Sequence, residues 1–136
     1  MNKHQPIAIH LHKHSSELEL RFTDDGIYLL TSEFLRICSP SAEVRGHGKG
    51  QEVLQTGKRH VKLTHIEAIG NYAIKLTFDD GHDTGIYSWP YLYELCTEYE
   101  TLWSNYLDRL AAANASREAL PAGTQAINIM PLNPKK

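Results

Sequence analysis

The chain has 136 residues, 41% hydrophobic and 22% charged, the make-up of a single globular domain with one modest core. Fourteen basic against sixteen acidic residues leave a formal net charge of −2, so there is no global basic field to make nucleic-acid binding the main activity. Two cysteines, Cys38 and Cys96, are too few for a secreted disulfide scaffold, and no apolar run suits a signal peptide or a membrane span. The expectation is a cytoplasmic protein that engages neither nucleic acid nor membrane.

In chain order, Ile7, Ile9 and Leu11 alternate with His10, His12 and His14, the period of a half-buried strand. Leu18, Leu20 and Phe22 repeat the pattern after Ser15 and Ser16, which predicts a hairpin. The run Thr23–Gly26 marks a tight turn before the strand IYLLT. Ser32 is read as a helix N-cap, and SEFLRIC gives one or two turns stopped at Ser39–Ser41. From there to His60 four glycines and no sustained period predict a long surface loop, the kind that is often functional.

Strands return in VKLTHIEAIG and NYAIKLTF, with Tyr72, Ile74, Leu76 and Phe78 on one face. Asp80-Gly81 makes another hairpin turn into TGIYSW, and Pro90 suits the first turn of a helix. Apolar residues from Leu92 through Trp103 to Leu110 then form a helical stripe of five or more turns. The strings FTDDGIYLLTSEFL and FDDGHDTGIYSWPYL echo each other. Together they predict an α+β fold built from two strand–strand–helix units, with the long C-terminal helix packed on the sheet. The sheet is expected to be antiparallel, with a mixed arrangement left open. The domain is expected to end at residue 112, and 113–136 to form a poorly ordered tail with a short docked segment at Ile127–Met130.

Chemistry-bearing residues are sparse. Asp79, Asp80, His82 and Asp83 crowd one hairpin, where the aspartates suit a turn but an imidazole has no turn role. His10, His12 and His14 are about 7 Å apart in steps along a strand, awkward for one metal ion, and are read as a polar outer face. His65-x-Glu67 has the spacing of half an iron facial triad, but too few strands follow to complete a barrel around it. GHGKG at Gly46–Gly50 is no Walker motif, although with Arg45, Lys49, Lys58 and Arg59 its amides could hold an anion. Neither cysteine has a local histidine partner, and no nucleophile elbow is present.

LRICSPSAEVRGHG followed by IGNYAIKLTFDDGHDTGIYSW resembles the small bacterial proteins grouped as the gamma-butyrobetaine hydroxylase-like N-terminal domain, a domain of unknown function, over about residues 5 to 110. In full-length hydroxylases this domain precedes a separate Fe(II)/2-oxoglutarate catalytic domain acting on gamma-butyrobetaine. The resemblance therefore implies an accessory part without the catalytic one. It also implies a structural zinc held by Leu-Arg-x-x-Cys-x-Cys-x-x-Cys and a distant histidine. On this chain the cysteine positions carry Ser39, Ser41 and Val44, Cys38 falls one place early, and only the histidine survives, as His82. The zinc site is thus expected to be degenerate, with His82 facing the Ser39–Gly48 loop and His47 as its second imidazole.

The resulting expectation is a non-catalytic binding or scaffold module, without a cofactor. It would recruit a partner protein or small ligand through Arg36, Ser39, Ser41, His47 and His82. The alternative is a zinc or iron protein, or an oxidoreductase component, using His82 with His47, Cys38 or an aspartate.

Overall fold

The computed structural model describes residues 5–24, 26–46 and 50–119. Its elements run β1 (Pro6–His12), β2 (Glu17–Phe22), β3 (Ile27–Thr31), α1 (Ser32–Ile37), α2 (Ala42–Arg45), β4 (Leu63–Ile69), β5 (Ala73–Phe78), β6 (Ile86–Ser88), α3 (Trp89–Thr97) and α4 (Tyr99–Ala112). The class is α+β, and every strand pair is antiparallel. Each sequence echo becomes a three-stranded meander of its own, ordered β1-β2-β3 and β4-β5-β6.

The two units close alike. Phe22 N–H bonds the carbonyl of Gly26 and Phe78 N–H that of His82, each at 2.9 Å, sealing the β2–β3 and β5–β6 turns. Each return strand then runs into a helix through a hydroxyl cap. Thr31 Oγ1 accepts from Phe34 N–H, and Ser88 Oγ from Tyr91 N–H. The first cap is therefore Thr31, where the sequence suggested Ser32. Ser32 Oγ instead donates to the Ser16 carbonyl and accepts from Leu63 N–H, so one hydroxyl ties the first hairpin to the second unit.

Alternation drives both sheets to bury one face. Leu18, Leu20, Phe22 and Leu30 from the first meet Ile74, Leu76, Phe78 and Tyr87 from the second in one cluster, completed by Phe34, Leu35, Leu92 and Leu95. Tyr72 lies just before β5 and is exposed. Tyrosine hydroxyls then knit the helices. Tyr87 Oη donates to the Leu35 carbonyl and Tyr91 Oη to that of Cys38, each at 2.6 Å, satisfying carbonyls at the end of α1 that helix geometry leaves open.

The C-terminal stripe forms two helices, broken at Glu98, which takes φ −106° and ψ 17°. Beyond it, the segment read as tail is described as far as residue 119, and the Ile127–Met130 expectation lies outside the described residues. The described part is bonded into the domain. Gly57 and Arg59 N–H groups donate to the carbonyls of Ser116 and Arg117. Arg117 also grips the buried Glu33 carboxylate with two hydrogen bonds, 2.7 and 2.8 Å.

Arg117→Ala should therefore cost about 1–3 kcal/mol, because it strands a buried carboxylate whose pair is partly solvent-exposed. Arg117→Ala combined with Glu33→Gln should recover part of that loss. Urea melts of the three proteins check this, and a single-variant loss under about half a kcal/mol would show that the contact does not hold the segment.

Candidate functional site

The site lies where the end of α1, the short α2 and the β5–β6 turn converge. Pro40 separates Ser39 from Ser41, and α2 then lifts Glu43 over the turn. His82 is 7% exposed, and both its ring nitrogens are engaged. Nε2 is 2.8 Å from Ser39 Oγ and 3.5 Å from Ser41 Oγ, while Nδ1 is 3.1 Å from Glu43 Oε1. A carboxylate can only accept, so Nδ1 carries the proton and Nε2 accepts from the Ser39 hydroxyl. Ser39 Oγ in turn accepts from Ser41 N–H at 3.3 Å. Burial, with the Arg36 guanidinium nearby, holds the His82 pKa below its ordinary 6.5 and outweighs the opposing pull of Glu43 and Asp80.

Arg36 forms the second half of the junction. Its Nε donates to Asp80 Oδ2 at 2.9 Å and one terminal nitrogen to Gln55 Oε1 at 2.9 Å. Asp80 also accepts from His82 N–H (3.1 Å) and Lys58 Nζ (3.2 Å). Burial alone would raise the Asp80 pKa, but these donors together bring it below the ordinary carboxylate value. Asp79 clips the turn to the connector, its Oδ1 accepting from Lys62 N–H at 3.0 Å, whereas Asp83 is exposed. Asp79 and Asp80 thus have structural partners, and the imidazole has a specific buried one.

Ser39, His82 and Glu43 carry the connectivity of a hydrolase triad, yet Ser39 is only 1% exposed. A Cβ added at Gly85 would fall 2.4 Å from Ser39 Oγ. The chain therefore packs glycine against the hydroxyl, with no room for a reacting carbonyl about 3 Å away. Zinc chemistry fares similarly. One imidazole nitrogen and two hydroxyls fall short of the four imidazole, thiolate or carboxylate ligands that a tetrahedral site takes. Val44 offers no donor atom. The Cys38 thiol is pushed up to about 12, mainly by burial, which keeps it protonated. Among the described residues, no group of three or more His, Cys, Asp or Glu is arranged to hold a metal ion.

Of the residues singled out in the sequence, Arg36, Ser39, Ser41 and His82 come together, all under 9% exposed. His47 and the middle of the glycine-rich loop lie outside the described residues. His10 and His12 sit on the outer face of β1, with His12 Nε2 2.8 Å from Glu19, while His14 falls in the following turn. Arg21, with help from those histidines, takes Glu19 down to about 2. On β4, His65 is exposed and Glu67 approaches Lys75 at 3.7 Å. Sequence reasoning missed Glu43, Gln55 and Gly85. Only Gly85 left a trace, as a glycine beyond the one its turn needed.

The sequence matches the family described as gamma-butyrobetaine hydroxylase-like, N-terminal, over residues 9–93. The chain belongs to that family. It is similar to two proteins solved in solution by NMR. One is 49% identical with a TM-score of 0.77, covering 93% of this chain and 100% of the other. The second is 46% identical with a TM-score of 0.72, covering 91% and 93%. A crystal structure of a protein of unknown function from Acidithiobacillus ferrooxidans, placed in the DUF971 family, is 35% identical. Its TM-score is 0.58, and the match covers 68% of this chain and 93% of that one. No match is found among the curated proteins.

A buried neutral histidine gives stability a pH dependence of definite sign. The unfolded chain binds a proton near pH 6.5 and the folded chain only below that, so stability is full above 6.5 and falls as pH drops towards the folded value. Stability of the wild type should therefore decline as pH falls through 6.5 and below, and His82→Asn should flatten that decline. An unchanged slope in urea melts of the variant would assign the dependence elsewhere.

Proposed function

We propose that this chain is a non-catalytic accessory module that recruits a partner protein or small ligand through its loop–hairpin face and needs no cofactor. The observation carrying this reading is how that face divides its residues. Arg36, Ser39, Ser41, Gln55 and His82 are buried and engaged with one another or with Asp80, so they set shape from beneath. Above them the rim is open. The Glu43 side chain is 65% exposed, Val53 is 51% exposed, and Arg45 lies over the Tyr91 ring at 4.7 Å from its centroid. A fixed frame with a charged and apolar rim suits recognition, because little conformational entropy is lost on binding.

The packing around Ser39 supports a non-enzymatic role, since the hydroxyl has no approach for a substrate. Family membership supports an accessory one, as the matched family is the N-terminal part of the hydroxylase architecture. Unpaired thiols at Cys38 and Cys96 fit a reducing, cytoplasmic setting. The absence of any helix among the described residues that is long and apolar enough to cross a membrane fits a partner in solution.

The test compares affinity capture by the wild type with that by Val53→Asp and Val53→Lys. Both substitutions lie on the exposed rim, so the melting temperature should change by no more than about 2 °C while the specific partner is lost. Partner retention by both variants would move the interface elsewhere. The purified chain should form no succinate from 2-oxoglutarate with iron and gamma-butyrobetaine. It should also carry well under one zinc or iron per molecule. A stoichiometric metal lost on His82→Ala would replace this reading with the metalloprotein one.

A further inference from the structure

On a different part of the molecule, a groove of about 560 Å³ opens between the β1–β2 turn, the start of α1, the connector at residues 59–62 and α4. Of its lining residues, Lys62 alone also touches the loop–hairpin turn, through its backbone N–H on Asp79. Its volume is within the range of small-molecule pockets, about 300–1,000 Å³. One wall is aromatic. Tyr99 and Trp103 lie nearly parallel, at 8° with centroids 6.3 Å apart, and Phe34 braces both with edge-on contacts. Both rings are partly exposed, so their hydrophobic surface is fixed in place without being used up by the core.

The remaining lining is biased towards positive charge. Arg117 and Glu33 neutralise each other, and Arg59 is paired with Glu118. His60 Nε2 lies 3.7 Å from the same Glu118, which leaves Lys62, exposed and paired with no carboxylate among the described residues, together with the imidazole of His14. Hydroxyls at Ser15 and Thr31 add hydrogen-bonding capacity. A lone cation beside a braced aromatic wall matches a ligand with an anionic group at one end and a flat ring at the other. The anion would pair with Lys62, and the ring would lie along the Tyr99–Trp103 wall, where the Arg117 guanidinium already sits over Trp103 at 5.2 Å from its centroid.

We infer that this groove is a binding site for a small organic anion, a carboxylate or phosphate ester carrying a planar ring, distinct from the proposed recruiting face. The test is amide and indole NMR mapping of the full chain with adenosine monophosphate and benzoate as probes. Adenosine, benzyl alcohol and inorganic phosphate serve as controls. At least one organic anion should shift the Trp103 indole and the amides of Thr31–Glu33 and Arg59–Lys62. The matched neutral ring compound and bare phosphate should each bind at least about tenfold more weakly. Lys62→Glu, on an exposed side chain, should weaken the anion about tenfold or more while the spectrum stays folded. Which anion binds decides between phosphate ester and carboxylate. No shift with either up to about 10 mM overturns the inference. So does equal binding by the Lys62 variant, or equal binding of phosphate alone.

Discussion

A buried imidazole is tolerated only if both its nitrogens are satisfied, and the way His82 meets that requirement organises one end of this protein. Ser39 and Ser41 approach from one side and Glu43 from the other, so three residues of the α1–α2 region are measured against a single ring. The backbone of the same residue carries two further constraints. Its N–H reaches Asp80 and its carbonyl closes the turn on Phe78. Asp80 passes the restraint to Arg36 and Lys58, and Arg36 passes it to Gln55. Tyr106 Oη caps the series by donating to the Gln55 carbonyl at 2.7 Å, which brings in α4. Four segments distant in sequence are held by one connected set of polar groups. Low local dielectric strengthens each bond in the set and makes any unpaired member costly.

The duplicated meander explains why such a junction is needed. Each three-stranded unit has one apolar face that has to be covered, and the two cover each other in one core. Hydrophobic contact alone leaves their mutual orientation loosely specified, whereas directional bonds fix it. Ser32 performs this service at one end by bridging Ser16 and Leu63, and the His82 junction performs it at the other. The Glu33–Arg117 pair adds a third tie by anchoring the residues after α4 to the start of α1.

Much of the architecture was legible in the sequence because period-2 alternation and Asp-Gly turns are local signals. The strands, the two echoing units and the helical stripe all follow from residues close together in the chain. The break at Glu98 left no such mark. An unbroken stripe of apolar residues is compatible with one helix or two, and only the non-helical backbone at Glu98 distinguishes them. The Ser32 cap was misplaced by one residue because its hydroxyl serves a long-range partner that local capping rules do not see. At the site, the family resemblance led to the expectation that His82 faces the Ser39–Gly48 loop, with His47 as second imidazole. The ring reaches Ser39 and Ser41, and His47 lies outside the described residues. Glu43 escaped notice because an exposed glutamate on a short helix looks like any solvated charge. Its role appears only once α2 is placed over the turn.

His82 works as a neutral hydrogen-bonding hub, with its proton on Nδ1. Long-range nitrogen–proton NMR of the His82 ring tests this most directly, because the two neutral tautomers and the charged ring give different nitrogen shifts. The ring should show Nδ1 protonated and Nε2 bare at neutral pH. It should gain its second proton only below the pH at which free histidine does, and it should not respond to added zinc. A proton found on Nε2, a ring that charges above the free-histidine value, or nitrogen shifts that move on zinc addition would contradict the account.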